Sequence, residues 1–238
     1  MALPDRKVVL VAGAAGGIGS ACAQALKQMP EQYETVEADR PGADVTQPGV
    51  AETLVSSVIA ERGRLDGVVH AVGMSGRRLG DGDVASCTDE AWDEVLRVNL
   101  TSAFWLMRAA LRAMADRRGG SFVAIGSVLA DSLHPDFLTT AYAVSKTGLI
   151  GLAKAAALSV AASGVRVNVV APALVDTPMA RRAVTSPKIR VQFGDLMPLG
   201  AAPLQAGDVA GAVAWLLSDQ AARVTGTVIT VDGGWTLR

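Results

Sequence analysis

Residues 7–29 constrain this chain more than any other stretch. Lys7–Ala12 (KVVLVA) is a short apolar run of the kind that forms a buried parallel strand. It leads directly into Gly13-Ala-Ala-Gly-Gly17-Ile18-Gly19 and then into the helical SACAQALKQM. Glycines allow a backbone to approach a pyrophosphate closely, and a helix N-terminus presents free N–H groups and the positive end of its dipole. The spacing is G-x-x-x-G-x-G rather than the G-x-G-x-x-G of many dinucleotide folds, and a glycine cluster alone is also a tight turn. The strand before it and the helix after it favour nucleotide binding.

The same alternation continues along the chain. Residues 33–39 (YETVEAD), 65–70 (LDGVVH), 121–125 (SFVAI), 165–170 (VRVNVV) and 227–231 (TVITV) read as further strands. Residues 50–62, 89–116, 141–162 and 209–217 carry helical apolar spacing. Strands separated by helices specify an α/β fold: a Rossmann-type, doubly wound parallel sheet with helices on both faces. A length of 238 residues suits one such domain. Residues 174–207 hold no clear strand and four prolines, and read as a lid with short helices over the substrate. Arg181, Arg182, Lys188 and Arg190 in it are either a solvated face or a contact to an acidic substrate.

An acid about 20 residues beyond the glycines can accept hydrogen bonds from an adenosine ribose and repel a 2′-phosphate. Asp39 holds that place and argues for NAD; the neighbouring Arg40 keeps NADP as the weaker reading. Asp44 and Val45 either flank the adenine or form a turn. The strand ending at His70 closes on Ala71-Val72-Gly73, which sets backbone beside the cofactor. His70 itself reads as packed or hydrogen-bonded for structure.

The candidate chemistry lies in residues 127–146. Ser127 follows a strand at its carboxyl end, where ligands bind in such sheets. Tyr142 and Lys146 are four apart on a helix and so share a face. A phenol is a poor base at neutral pH, and a nearby cation lowers its pKa toward the working range. Ser127 would hydrogen-bond the oxygen that gains or loses the proton. Asn99 reads by default as a buried structural amide that needs partners.

Other functions are disfavoured. A net charge of −1 advertises neither nucleic acid nor an anionic membrane. No apolar run reaches the ~18 residues of a membrane span, and the N-terminus lacks a signal-peptide cleavage pattern. Two Cys and two His, none at ligand spacing, point to no metal site and no disulfide framework. A cytoplasmic protein is expected.

Together, AGAAGGIG (12–19), HAVG (70–73), Asn99, Ser127, YAVSK (142–146), NVVAPALVDTPM (168–179) and VDGG (231–234) resemble the short-chain dehydrogenase/reductase family over nearly the whole chain. The resemblance implies that Tyr142 is the catalytic acid/base, that Lys146 holds the nicotinamide ribose and lowers the tyrosine pKa, and that Ser127 orients the substrate oxygen. It implies that Asn99 holds a proton-relay water with Lys146 and that Thr177 bonds the nicotinamide amide. It also places Gly13, Gly17, Ile18, Gly19, Ala71, Gly73, Pro172 and Val175 along the cofactor, and it implies a homotetramer or homodimer acting on a small alcohol or carbonyl compound. The chain departs from the family where Ala12 replaces a usual Thr, HAVG a usual NNAG and Ala173 a usual Gly, and the interval from Ser127 to Tyr142 is longer than is common. Residues 39–44 are so short that the helix usually separating the second and third strands looks deleted. The expected reaction is NAD-dependent interconversion of a secondary alcohol and a ketone. Its rivals are an NADPH-dependent 3-oxoacyl-thioester reductase and a catalytically silent dinucleotide sensor.

Overall fold

The computed structural model describes residues 6–29 and 33–237; the reading of the extreme N-terminus lies outside them. Six strands form one parallel sheet in the order β2-β1-β3-β4-β5-β6. They are β1 (Lys7–Ala12), β2 (Tyr33–Ala38), β3 (Gly67–His70), β4 (Gly120–Ile125), β5 (Val165–Pro172) and β6 (Val228–Val231). The order reverses between β1 and β3, so their carboxyl ends open the crevice in which such sheets bind ligands.

Side-chain alternation along the strands explains the layers. Val8, Leu10 and Ala12 of β1, with Val68, Phe122 and Ala124, face a core shared with helices α2 (Val50–Arg62), α4 (Ser102–Asp116) and α5 (Thr140–Val160). Val9 and Val11, with Val69, Val123 and Val170, face α1 (Gly17–Lys27) and α9 (Ala206–Leu217) on the other side. Each fully buried Val or Leu contributes roughly 1.5–3 kcal/mol, which is why strands covered on both faces read as unbroken apolar runs.

Residues 89–116, whose spacing leaves one helix or two open, are two helices, α3 (Asp89–Leu96) and α4, joined by a π-helical turn at Arg97–Thr101. Two stretches differ from expectation. The shortened segment after β2 contains no strand: residues 43–46 form a turn, and β2 is the sheet edge. The deletion therefore reaches beyond a helix. Finally, Thr140–Ser163 is long and apolar enough to cross a membrane by length and composition, contrary to the sequence reading. Here it packs against α3 and β5 and carries a lysine inward. The proposed lid contains three short helices, α6 (Arg181–Thr185), α7 (Pro187–Arg190) and α8 (Phe193–Leu196), and a single bridge between Val175 and Leu204.

Candidate active site

The glycine loop is shaped for close approach. Gly13 has a φ of +84°, and a Cβ there would lie 2.7 Å from the Ala71 carbonyl carbon. A Cβ on Gly19 would lie 2.1 Å from the Gly13 oxygen. No side chain fits at either position, so the turn after β1 exposes bare backbone at the N-terminus of α1. Asp39 is tied to this loop, since its Oδ2 accepts from the Ala15 N–H at 2.8 Å and its Oδ1 from the Arg40 N–H. This cradle of bare backbone with an acid at its rim fits a dinucleotide.

A cavity of about 760 Å³ opens at the carboxyl ends of the strands. Ile18, Ala71, Gly73, Ser127, Tyr142, Lys146, Pro172, Val175 and Thr177 line it. Gly13, Gly17 and Gly19 form the loop beside it, where Gly17 packs against Thr177. Asp39, Arg40, Asp44 and Val45 do not line the cavity. At residues 44 and 45 the chain turns: the Asp44 carboxylate accepts from the Thr46 hydroxyl at 2.6 Å, and Val45 is buried in the core.

Ser127 follows β4 in extended conformation, and Tyr142 sits in the first turn of α5. The Tyr142 phenol and the Ser127 hydroxyl line the same cavity, and the serine acts to lower the phenol's pKa. Lys146, one turn on, is buried, and its Nζ donates to the Ile125 carbonyl at 2.8 Å. The ammonium lies 5.7 Å from the centre of the tyrosine ring. Burial pulls its pKa down to about 8.

The tyrosine behaves differently from expectation. Burial raises its pKa above the ordinary phenol value, and the nearby Ser127 hydroxyl only partly offsets that rise. The lysine charge is directed at a carbonyl, so the protein alone supplies no net depression. A phenol in this setting is protonated at neutral pH and suited to donate.

Asn99 is in the π-helical turn, a feature common at functional sites. Its amide has partners on both sides. Oδ1 accepts from the Met74 N–H at 2.8 Å, while Nδ2 donates to the Met74 oxygen and to Ser145 Oγ, each at 3.0 Å. A Cβ on Gly73 would lie 3.4 Å from Asn99 Oδ1 and 3.5 Å from Lys146 Nζ, so both groups flank that glycine. His70 is structural, as expected. Ser102 Oγ donates to the Val98 carbonyl and therefore accepts from His70 Nε2 at 3.0 Å. Burial holds the imidazole neutral, with a pKa of about 3.

Sequence reasoning did not single out Asp81, Trp235, Arg77 or Arg78. Asp81 is buried, and both its carboxylate oxygens are used: Oδ1 accepts from the Ala141 N–H at 3.0 Å and Oδ2 from the Tyr142 N–H at 3.1 Å. It thus caps the helix that carries the tyrosine. Phe137 and Trp235 form one wall, their rings edge to face at 5.2 Å. Arg77 and Arg78 stand at the mouth. Acid near a helix start was the only available signal, and it came from a loop about 60 residues away in sequence.

A serine–tyrosine–lysine group beside a glycine cradle, at the switch point of a parallel sheet, defines a nicotinamide-dinucleotide oxidoreductase. Residues 31–236 match the family model described as enoyl-(acyl carrier protein) reductase. The chain is 34% identical over 247 residues to the 3-oxoacyl-[acyl-carrier-protein] reductase FabG of Escherichia coli, covering 97% of each. It is 31% identical to D-threitol dehydrogenase of Mycolicibacterium smegmatis, covering 98% of this chain and 94% of that one. A short-chain type dehydrogenase/reductase from Mycobacterium ulcerans superposes with a TM-score of 0.88 at 30% identity, over 98% of this chain and 90% of that one. A variant of ElxO with NADPH bound superposes at 0.87 and 25% identity, over 98% and 100%. The chain belongs to the short-chain dehydrogenase/reductase family.

Proposed function

We propose that this protein interconverts a secondary alcohol and a ketone, with Tyr142 as the proton-transferring group. One observation carries the reading: Ser127, Tyr142 and Lys146 line one cavity, with the serine hydroxyl close enough to lower the phenol's pKa and Lys146 one helical turn behind. The dinucleotide, when bound, supplies or accepts the hydride. Ser127 and Tyr142 receive the substrate oxygen between them, and the phenol passes its proton to that oxygen during ketone reduction. Lys146 and Asn99, on either side of Gly73, hold the water through which the phenol is reprotonated. The lid over residues 174–207 excludes bulk water. A protonated phenol at neutral pH favours the reducing direction.

The cofactor in this reading is NAD(H). Asp39, anchored by the loop it faces, disfavours a 2′-phosphate. The neighbour bound to NADPH makes a direct comparison essential. The specificity constants for NADH and NADPH decide it: NADH is expected to be favoured, and Asp39→Ser to narrow the ratio. A preference for NADPH in the parent would refute this use of Asp39.

A second reading, 3-oxoacyl-thioester reduction, is favoured by the Escherichia coli relative and by the description of the matching family. Initial rates with a panel of simple ketones against an acetoacetyl thioester separate the two. Absence of turnover across both sets would favour a silent sensor. Copies are proposed to associate through the outer faces of α4 and α5, where Phe104 and Leu158 are 42% and 84% exposed. Light scattering of the parent and of Leu158→Glu tests this.

A further inference from the structure

We infer that the mouth of the cavity binds an anionic group of the substrate, a carboxylate or a phosphate, between Arg77 and Arg182. The inference rests on the oxidoreductase reading above and narrows its substrate class. Arg77 follows β3, Arg182 lies on α6, and the two approach the cavity from segments about 100 residues apart. Arg78 and Arg181 line the same mouth. Lys188 and Arg190, basic residues of the same lid, do not. Of the four, Arg77 is half-buried and Arg78, Arg181 and Arg182 are exposed, yet all four border one cavity rather than being spread over the lid surface. The chain as a whole is slightly acidic.

Among the described residues no carboxylate is bonded to these arginines. Arg77 is half-buried and feels the positive charge of Arg182, and both burial and that charge lower its pKa. Like charges drawn together in a partly desolvated mouth are unfavourable unless an anion lies between them. Asp81 reaches Arg77 only through its field, since its two oxygens accept from the Ala141 and Tyr142 N–H groups. The Asp136 carboxylate is held by Lys188 and Gln192, and Arg182 bonds only the Asp136 carbonyl oxygen, at 3.4 Å. Among the described residues Arg77, Arg78, Arg181 and Arg182 form no salt bridge. Guanidinium groups match carboxylates and phosphates in a two-pronged geometry. The same cavity is lined by the apolar side chains of Leu129, Phe137 and Trp235 as well as by Tyr142. The substrate that fits has a carbonyl at Tyr142, an apolar stem and an anion at the mouth.

Two substrate pairs test this and separate the two anions. One is 4-oxopentanoate against its methyl ester. The other is acetoacetyl-coenzyme A against the acetoacetyl thioester of N-acetylcysteamine, which lacks the phosphates. The readout is the ratio of kcat/KM, charged over neutral, in the parent, in Arg77→Gln/Arg182→Gln and in Arg190→Gln. The parent is expected to favour the charged member of one pair by at least about tenfold, the order that charge-assisted hydrogen bonds supply. The double variant should bring that ratio near one, and Arg190→Gln should keep it; the responding pair names the anion. NADH titration by fluorescence shows that the double variant is folded. If the neutral members turn over and neither ratio departs from one, or if the double variant leaves the ratio intact, the inference is overturned and the oxidoreductase reading stands. If no member turns over, that reading fails, and calorimetric titration of succinate and of inorganic phosphate decides the anion site. Weakening of either by the double variant but not by Arg190→Gln supports the site, and equal binding overturns it.

Discussion

Replacing Lys146 by methionine is expected to hold or raise stability at neutral pH while removing activity. The residue is 4% exposed, and among the described residues no carboxylate pairs with it. Its ordinary pKa of 10.5 falls to about 8 through burial, so at ~1.36 kcal/mol per pH unit the charge costs on the order of 3 kcal/mol at pH 7. Methionine has a similar length, no charge and a side chain that adapts to apolar surroundings. It leaves the Ile125 oxygen without its donor, a loss of about 1–3 kcal/mol. The balance is a gain of zero to about 2 kcal/mol. The pH dependence gives the sharper check. The folded pKa is depressed, so between about 8 and 10.5 the unfolded chain holds a proton that the folded chain has shed, and the parent gains stability as pH rises. The variant has no such group, and its advantage is expected to shrink by about 3 kcal/mol across that window. Urea unfolding of both proteins at one fixed concentration, at several pH values, measures the difference. A loss of about 3 kcal/mol or more at pH 7, as follows from breaking a buried ion pair, would refute the argument. So would a difference that does not change with pH.

Tyr142→Phe is expected to lower kcat by about 10²–10⁴-fold, the range for a lost general acid, while NADH affinity measured by fluorescence titration stays within a fewfold. The rate of ketone reduction in the parent is expected to be level through neutral pH and to fall as pH rises through about 8, where Lys146 loses its charge; a profile that rises there contradicts the assignment. Gly19→Ala places a methyl group 2.1 Å from the Gly13 oxygen, so the loop must shift. Dinucleotide affinity by calorimetry should fall at least about tenfold, and the protein should lose about 1–3 kcal/mol in urea unfolding.

The sheet was legible because its strands are buried on both faces. Lys7–Ala12 and Val50–Arg62 begin and end where apolar spacing puts them. Ser127, Tyr142 and Lys146 were legible because a strand end and one helical turn fix their relation with little help from tertiary structure. The Asn99 turn was not: Val98-Asn99-Leu100 fits an ordinary helix, and the partners of the amide, Met74 and Ser145, come from distant segments. The tyrosine pKa was misjudged for a related reason. Charge spacing along a helix says nothing of desolvation, and here burial outweighs the neighbour. Trp235 reaches the cavity from the far end of the chain, which no local pattern reveals.

The loop after β3 joins recognition to chemistry. Within residues 73–82 the chain supplies the glycine beside Lys146, the peptide group that grips Asn99, an arginine at the mouth, the acid that caps the tyrosine helix, and the Gly82 oxygen that accepts from the Thr140 N–H. None of these contacts follows from secondary-structure period, since each runs from irregular backbone to a distant element. All of them depend on the length of one connection. A change in that length moves the proton donor and the arginine together, whereas the segment after β2, already shortened, touches neither. The proposed substrate site is thus joined to the placement of Tyr142 through the loop of Arg77 and Asp81, and the lid adds the opposing wall with Arg182.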